Sequence, residues 1–295
     1  MQLPSIEGRL DHLALDAAGN RLFIAALAAD SLEVIDLRSG QVRTIRGLRE
    51  PQGLAYIGNS NRLLVANGEG GTVQAFGDVG APAAATVAGL PDADNVRLDP
   101  GAGLAYVGYG KALAVLDAGA LQIIRSIPLS AHPEAFEIEA HGPRIFVNVP
   151  GAGHIAVVDR VKGQVTGVWE LGDASRNFPM ALDEANHRLF VATRQPSLLL
   201  VFDTRSGSRD NRSQLCGDAD DLFFDAARKQ LYAVCGQGVV DVLREQDGNR
   251  WELVQRMNTS PGARTGLFVP ALSTLFVAAP ARVGASARLR AYRIE

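Results

Sequence analysis

The residues most capable of chemistry are histidines and carboxylates that recur near the starts of short apolar segments. His12 follows Asp11, and His132 and Glu134 flank Pro133. An imidazole beside a carboxylate can act as an acid–base dyad or share a metal, and a hydrogen-bonded structural histidine is the plain alternative. His12, Asp94, His132, Glu134 and Asp220 are the candidate metal ligands. Nitrogen and oxygen donors together suit Zn²⁺, Mn²⁺ or Fe²⁺, whereas carboxylates with amide oxygens suit Ca²⁺. Asp11 or His154 is the candidate general base, and Arg264 the candidate for orienting an anionic substrate group. Gln52, Asn67, Tyr109, Asn148, Asn177 and Arg194 are the candidate ligand-binding residues. Against all of these stands a bland alternative, in which the polar groups cap strand ends and line a water-filled channel. Arg264 and Arg176 equally admit pairing with Asp218 and Asp220.

These residues are spaced by a repeat. Units of two short strands joined by a turn begin at Asp11, Gln52, Asp94, Glu134, Phe178, Asp220 and Thr265, so successive starts lie 40–45 residues apart. A fixed period of this length marks a propeller with four-stranded blades. Seven starts predict an all-β, seven-bladed β-propeller occupying residues 1–295 as a single domain. In the first blade, alternation at Leu13, Leu15, Leu22 and Ile24 predicts half-buried strands. Ser31–Asp36 and residues 41–45 supply the third and fourth strands around the turn Leu37-Arg38-Ser39-Gly40. The Asp-x-x-x-Gly turn returns at Asp159 and Asp203, shortens at Asp117-Ala118-Gly119, and has a counterpart at Asp247-Gly248. Asp16, Asp99, Asp183 and Asp225 end first strands and are expected to form the following turns. His141 and His187 fall in such turns and are expected to be solvated.

The seventh repeat stops one strand short, while Ser5-Ile6-Glu7-Gly8 matches Thr44-Ile45-Arg46-Gly47. Residues 2–8 are therefore expected to form the outer strand of the last blade, which removes an exposed sheet edge.

Composition narrows the partners. The net charge is -3 with basic residues scattered, which speaks against nucleic acid, since such binding needs concentrated positive charge. No apolar run approaches the ~18 residues needed to span a bilayer. Met1-Gln2-Leu3-Pro4 lacks a basic and apolar leader pattern, so no signal peptide is expected; the chain is cytoplasmic as written and periplasmic if a leader was removed. The two cysteines, Cys216 and Cys235, are expected as buried thiols ahead of a disulfide, because two in a long chain are no disulfide framework. The Gly-rich turns at Gly68-Glu69-Gly70-Gly71, Gly108-Tyr109-Gly110 and Gly236-Gln237-Gly238 lack the strand–loop–helix setting of a phosphate loop, so no nucleotide cofactor is expected. A Gly-x-Ser-x-Gly nucleophile elbow is also missing.

The strand pairs, such as Arg188-Leu189-Phe190-Val191-Ala192, together with the Asp-x-x-x-Gly turns, resemble the YVTN-type propeller repeat of bacterial YncE-like proteins. Phe190-Val191-Ala192-Thr193 and Leu64-Val65-Ala66-Asn67 stand where that repeat has its Tyr-Val-Thr-Asn core. The resemblance implies the fold across essentially the whole chain and a binding propeller as one function. The acidic, imidazole-bearing channel mouth points instead to a metal-dependent hydrolase of a lactone, ester, phosphoester or phosphotriester, with the alternative being a non-catalytic propeller that holds a small ligand or peptide. A pure scaffold is the third option. A closed propeller completes its own core, so a monomer is expected.

Overall fold

A computed structural model describes residues 1–3, 6–77, 81–246 and 250–295. Among them, 28 strands form seven four-stranded sheets, and no α-helix occurs. The fold is an all-β, seven-bladed β-propeller. The first sheet takes Leu13–Asp16, Arg21–Ala26, Ser31–Asp36 and Val42–Arg46 in chain order. The next five sheets repeat this order, with first strands Pro51–Ile57, Val96–Asp99, Phe136–Ile138, Ser175–Asp183 and Ala219–Asp225. The seventh sheet runs Gln2–Leu3, Ala287–Arg293, Thr274–Ala279, Thr265–Val269. The N-terminus thus supplies the outer strand of the last blade, paired at Gln2↔Arg288 and Leu3↔Ala287. It is shorter than the expected residues 2–8: Gly8 has already turned to φ +76, and Pro4 and Ser5 lie outside the described residues. The expected turn at Asp247-Gly248 lies outside them too.

The chain divides into two compact units, residues 1–127 with 278–290 and residues 128–277 with 291–295. In the first, Phe23, Leu32 and Val34 pack on Leu54, Leu63, Val65 and Phe76. The other face of the second sheet, through Leu64, Ala66, Val73 and Ala75, packs on Val96, Val107, Ala114 and Leu116. In the second unit, Phe146, Ile155 and Val157 meet Leu189, Val191, Leu200 and Phe202. Phe190, Leu199 and Val201 meet Leu222, Leu231, Leu243 and Trp251.

Neighbours on both faces correct the expectation of half-buried strands. In Arg21–Ala26 every residue from Leu22 onward is buried, and Leu63–Asn67 and Leu189–Thr193 repeat the pattern. Strands covered on both faces read as continuous apolar runs rather than alternations.

The Asp-x-x-x-Gly turns share one geometry. Asp36 Oδ1 accepts the amides of Arg38 and Ser39 at 2.9 and 2.7 Å, and Gly40 N returns to the Asp36 carbonyl at 2.8 Å. Asp159 does the same with Val161 and Lys162, and Asp203 with Arg205 and Ser206. The turn at Asp117 is not shortened, as expected from its glycine, but identical. Gly119 and Ala120 donate to Asp117 Oδ1, and Leu121 takes the left-handed position at φ +54 that glycine fills elsewhere. The buried Leu121 side chain joins the apolar cluster, and that contact offsets the backbone strain. The turns after the first strands behave as expected, with Asp16 Oδ1 accepting from Gly19 N at 2.8 Å and Asp183 and Asp225 likewise engaged.

Two outcomes test this account. Gly40 has φ +75, and a Cβ there would meet only the end of the Met1 side chain at an ordinary 3.6 Å, so Gly40→Ala costs about 1 kcal/mol through its backbone. Gly207 has φ +74, and a Cβ there would overlap the Trp169 indole, which stacks on Phe202 and lies tilted against Phe146. Gly207→Ala therefore costs about 1–3 kcal/mol more; equal losses in urea melts would refute the packing argument. The second outcome concerns acid. The Ser39 amide lowers the Asp36 pKa, the Lys162 amide that of Asp159, and the Arg205 side chain that of Asp203. Folded carboxylates with depressed pKa values stabilise above their unfolded value, about 4, and that contribution disappears as pH falls through the folded values. Asp203→Asn should therefore make melting temperature less dependent on pH below about 4, and an unchanged acid limb would contradict it.

Candidate functional site

The entry to each first strand is where the polar candidates sit. Asp11 N donates to the Ala25 carbonyl at 2.8 Å, Asp94 N to Gly108 at 2.9 Å, and Glu134 N to Asn148 at 3.0 Å. The repeat therefore sets Asp11, Gln52 and Asp94 at equivalent positions in the first unit, and Glu134, Phe178, Asp220 and Arg264 in the second. In five repeats the residue two before this position is left-handed: Glu50, Asp92, Arg176, Asp218 and Gly262. Only one of the five is glycine, so the bend was not legible as a glycine motif.

In the first unit, Asp11 is buried and paired with Arg9 at 2.9 Å, while His12 Nε2 stands 3.8 Å from its other oxygen. Asp11 and His12 thus stand side by side beyond hydrogen-bond distance, with an arginine sharing the carboxylate. Asp94 is buried, and its carbonyl lies against Gly53, where no Cβ would fit. Asn67 is consumed structurally: Nδ2 lies within reach of Thr72 and Gln74 at 3.3 and 3.2 Å, and Oδ1 accepts from Arg49 N at 3.3 Å. Tyr109 shares a 2.7 Å hydrogen bond with Ser126, and the Gln52 side chain lies over Gly68.

In the second unit, His132 and Glu134 are half-buried, and their ligating atoms lie within 4.8 Å of one another. His154 Nε2 lies 3.1 Å from the Ser130 hydroxyl. Asn148 and Asn177 form a fully buried amide pair. Asn177 Nδ2 donates to Asn148 Oδ1 at 2.8 Å and to the His154 carbonyl at 3.0 Å. Asn148 Nδ2 reaches the Phe178 and Pro179 carbonyls at 3.0 and 3.2 Å. Both Nδ2 groups and Asn148 Oδ1 are thus used inside the protein, tying segments of backbone together, while Asn177 Oδ1 is buried without a hydrogen-bond partner.

Asp220 departs furthest from expectation. Its carboxylate meets the guanidinium groups of Arg194 and, at 3.9 Å, Arg264, which is the alternative pairing admitted for Arg264. Asp218 completes the group, 3.2 Å from Arg194 and 3.0 Å from Arg264. Arg194 lies 3.9 Å from the Phe178 ring centre, a cation–π contact, and Nε donates to the Ala219 carbonyl at 3.0 Å. Arg194 and Arg264 thus stand together, whereas Arg176 is exposed. Phe178 and Ser130 were missed as site residues, because only three-dimensional neighbours reveal their roles. His141, 92% exposed, and His187, also exposed, are turn residues as expected.

Cys216 and Cys235 form a buried disulfide with Cα atoms 6.0 Å apart, correcting the expectation of reduced thiols. Strand register explains it. Ala219 pairs with Cys235, which brings Cys216, three residues earlier, alongside despite a separation of 19 residues. The bond ties the Asp218 loop to the end of the second strand.

No family model and no curated protein matches the chain. Among solved structures, Kuenenia stuttgartiensis hydrazine synthase is similar over 99% of this chain and 98% of that one, with a TM-score of 0.83 and 18% identity. A chain of a mitotic checkpoint complex aligns over 98% of this chain and 89% of its own, with a TM-score of 0.79 and 12% identity. At these identities the likeness is one of fold. No helix among the described residues is long and apolar enough to cross a membrane.

If the Asn148–Asn177 pair is structural, Asn177→Ala costs about 1–3 kcal/mol, the usual loss when buried partners go unsatisfied. Metal content per folded chain stays at the wild-type value. A stable variant that had lost bound ligand would return Asn177 to the binding residues.

Proposed function

We propose that the protein is a divalent-metal-dependent hydrolase of a lactone, ester or phosphoester. The observation that carries this reading is the His132-Pro133-Glu134 segment, whose imidazole and carboxylate approach within 4.8 Å. One nitrogen and one oxygen donor on a stiff segment fit Zn²⁺, Mn²⁺ or Fe²⁺. Such an ion polarises a carbonyl or phosphoryl oxygen and acidifies its bound water. The chain's own groups do the remainder. The backbone bond from Glu134 to Asn148 fixes the carboxylate's origin, and the Ser130 hydroxyl holds the His154 ring through Nε2. Asp220 leaves the proposed ligand set, since its oxygens already face arginines.

A non-catalytic, YncE-like propeller that binds a small ligand is the second reading. It is favoured by Arg194, whose guanidinium is held in place by the Ala219 carbonyl and the Phe178 ring.

Elemental analysis of tag-free protein prepared without chelators separates the two. The hydrolase reading expects about one equivalent of Zn, Mn or Fe, lost in His132→Ala and in Glu134→Gln. Asp94→Ala and His12→Ala ask whether the first unit contributes donors. Metal-free wild type that shows no thermal shift on adding these ions would sink the hydrolase and leave the binding propeller. If metal is present, lactones and phosphotriesters are the first substrates to screen.

A further inference from the structure

The arginine–aspartate group of the second unit is unevenly built. Arg194 is held by the Ala219 carbonyl, the Phe178 ring and both aspartates, so its guanidinium is fixed in advance. Arg264 meets the same two carboxylates. The aspartates differ: the Asp220 side chain is 13% exposed and that of Asp218 35%. Asp220 is therefore the permanent counter-ion, and Asp218 the carboxylate within reach of solvent. Paired guanidinium groups with their donors aligned recognise carboxylate and phosphate oxygens.

We propose that Arg194 and Arg264 form a seat for a small oxyanion group, carboxylate or phosphate, and that Asp218 is the internal stand-in this group displaces. Such an exchange keeps the charge balance, since one anion replaces another beside two cations. The surroundings confine the movement to the Asp218 side chain. Its carbonyl accepts from Gly236 N at 2.8 Å, Gln237 N reaches the Gly217 carbonyl at 3.2 Å, and the Cys216–Cys235 bond anchors the loop. Gly236 is the residue that leaves Asp218 its room, because a Cβ at that position would overlap the carboxylate. Asp218 also has φ +62, a conformation that asparagine tolerates well. That the oxyanion belongs to the substrate rests on the hydrolase reading; the seat itself does not.

Calorimetric titration of the whole chain with inorganic phosphate, and separately with acetate, tests the seat. Asp218→Asn removes the competing charge and keeps the backbone. Gly236→Ala pushes the carboxylate out while leaving both arginines. Each is expected to bind at least one probe tenfold or more tighter than wild type, and the probe that gains more names the preferred group. Adding Arg264→Gln to Asp218→Asn should return affinity to the wild-type level. No gain in either single variant, or a gain that survives Arg264→Gln, overturns the proposal. Metal content is read on the same samples, so loss of the cation reading leaves the titration interpretable.

Discussion

A strand that is apolar on both faces cannot face water on either, and the rest of this structure depends on that constraint. The second and third strands of the first blade carry it most clearly: Arg21–Ala26 and Ser31–Asp36 are buried almost end to end. Within each unit, sheets cover one another's faces, as Phe190 shows by meeting Trp251 at 4.8 Å and Phe224 at 5.4 Å. Burying aromatic side chains in this way provides the large apolar contribution to folding. It also leaves the middle of each blade no room for chemistry. Polar groups are driven to the strand ends, and both candidate clusters of the second unit lie there.

The strand ends must then satisfy their own backbone before they can serve anything else. Aspartates do this repeatedly, each accepting two amides from the turn that follows. The left-handed residues at the strand entries do it by bending the chain so that its next amides and carbonyls meet the neighbouring strand, as with Gly236 N and the Asp218 carbonyl. A buried amide such as Asn177, which ties two segments together, belongs to the same group of solutions. Much of what looks like a polar site is therefore structure, because unpaired buried donors and acceptors are costly.

This division explains what was legible in the sequence. The period, the seven repeats, the Asp-led turns and the N-terminal strand were all readable, because each is set by local residue type or by spacing. Leu121 shows where such reading stops. The turn looked shortened without its glycine, yet a buried leucine takes the same left-handed conformation. Cys216 and Cys235 were misjudged for a related reason, since composition does not reveal that Ala219 pairs with Cys235. The candidate site was half legible. The residues named at strand entries are there, but which of them face one another depends on register. Asp220, expected beside a metal, stands between two arginines.

The two clusters of the second unit divide the electrostatic work. Arg194, Arg264, Asp218 and Asp220 balance their charges internally, so each carboxylate there has lost most of its pull on a cation. His132 and Glu134 combine the donor types that a transition metal prefers. Neighbouring like charges would otherwise raise the cost of ionising several carboxylates at strand ends. Pairing Asp218 and Asp220 with arginine lowers that cost. It also sets the imidazole–carboxylate pair apart from the charge-balanced arginine–aspartate group within the same unit.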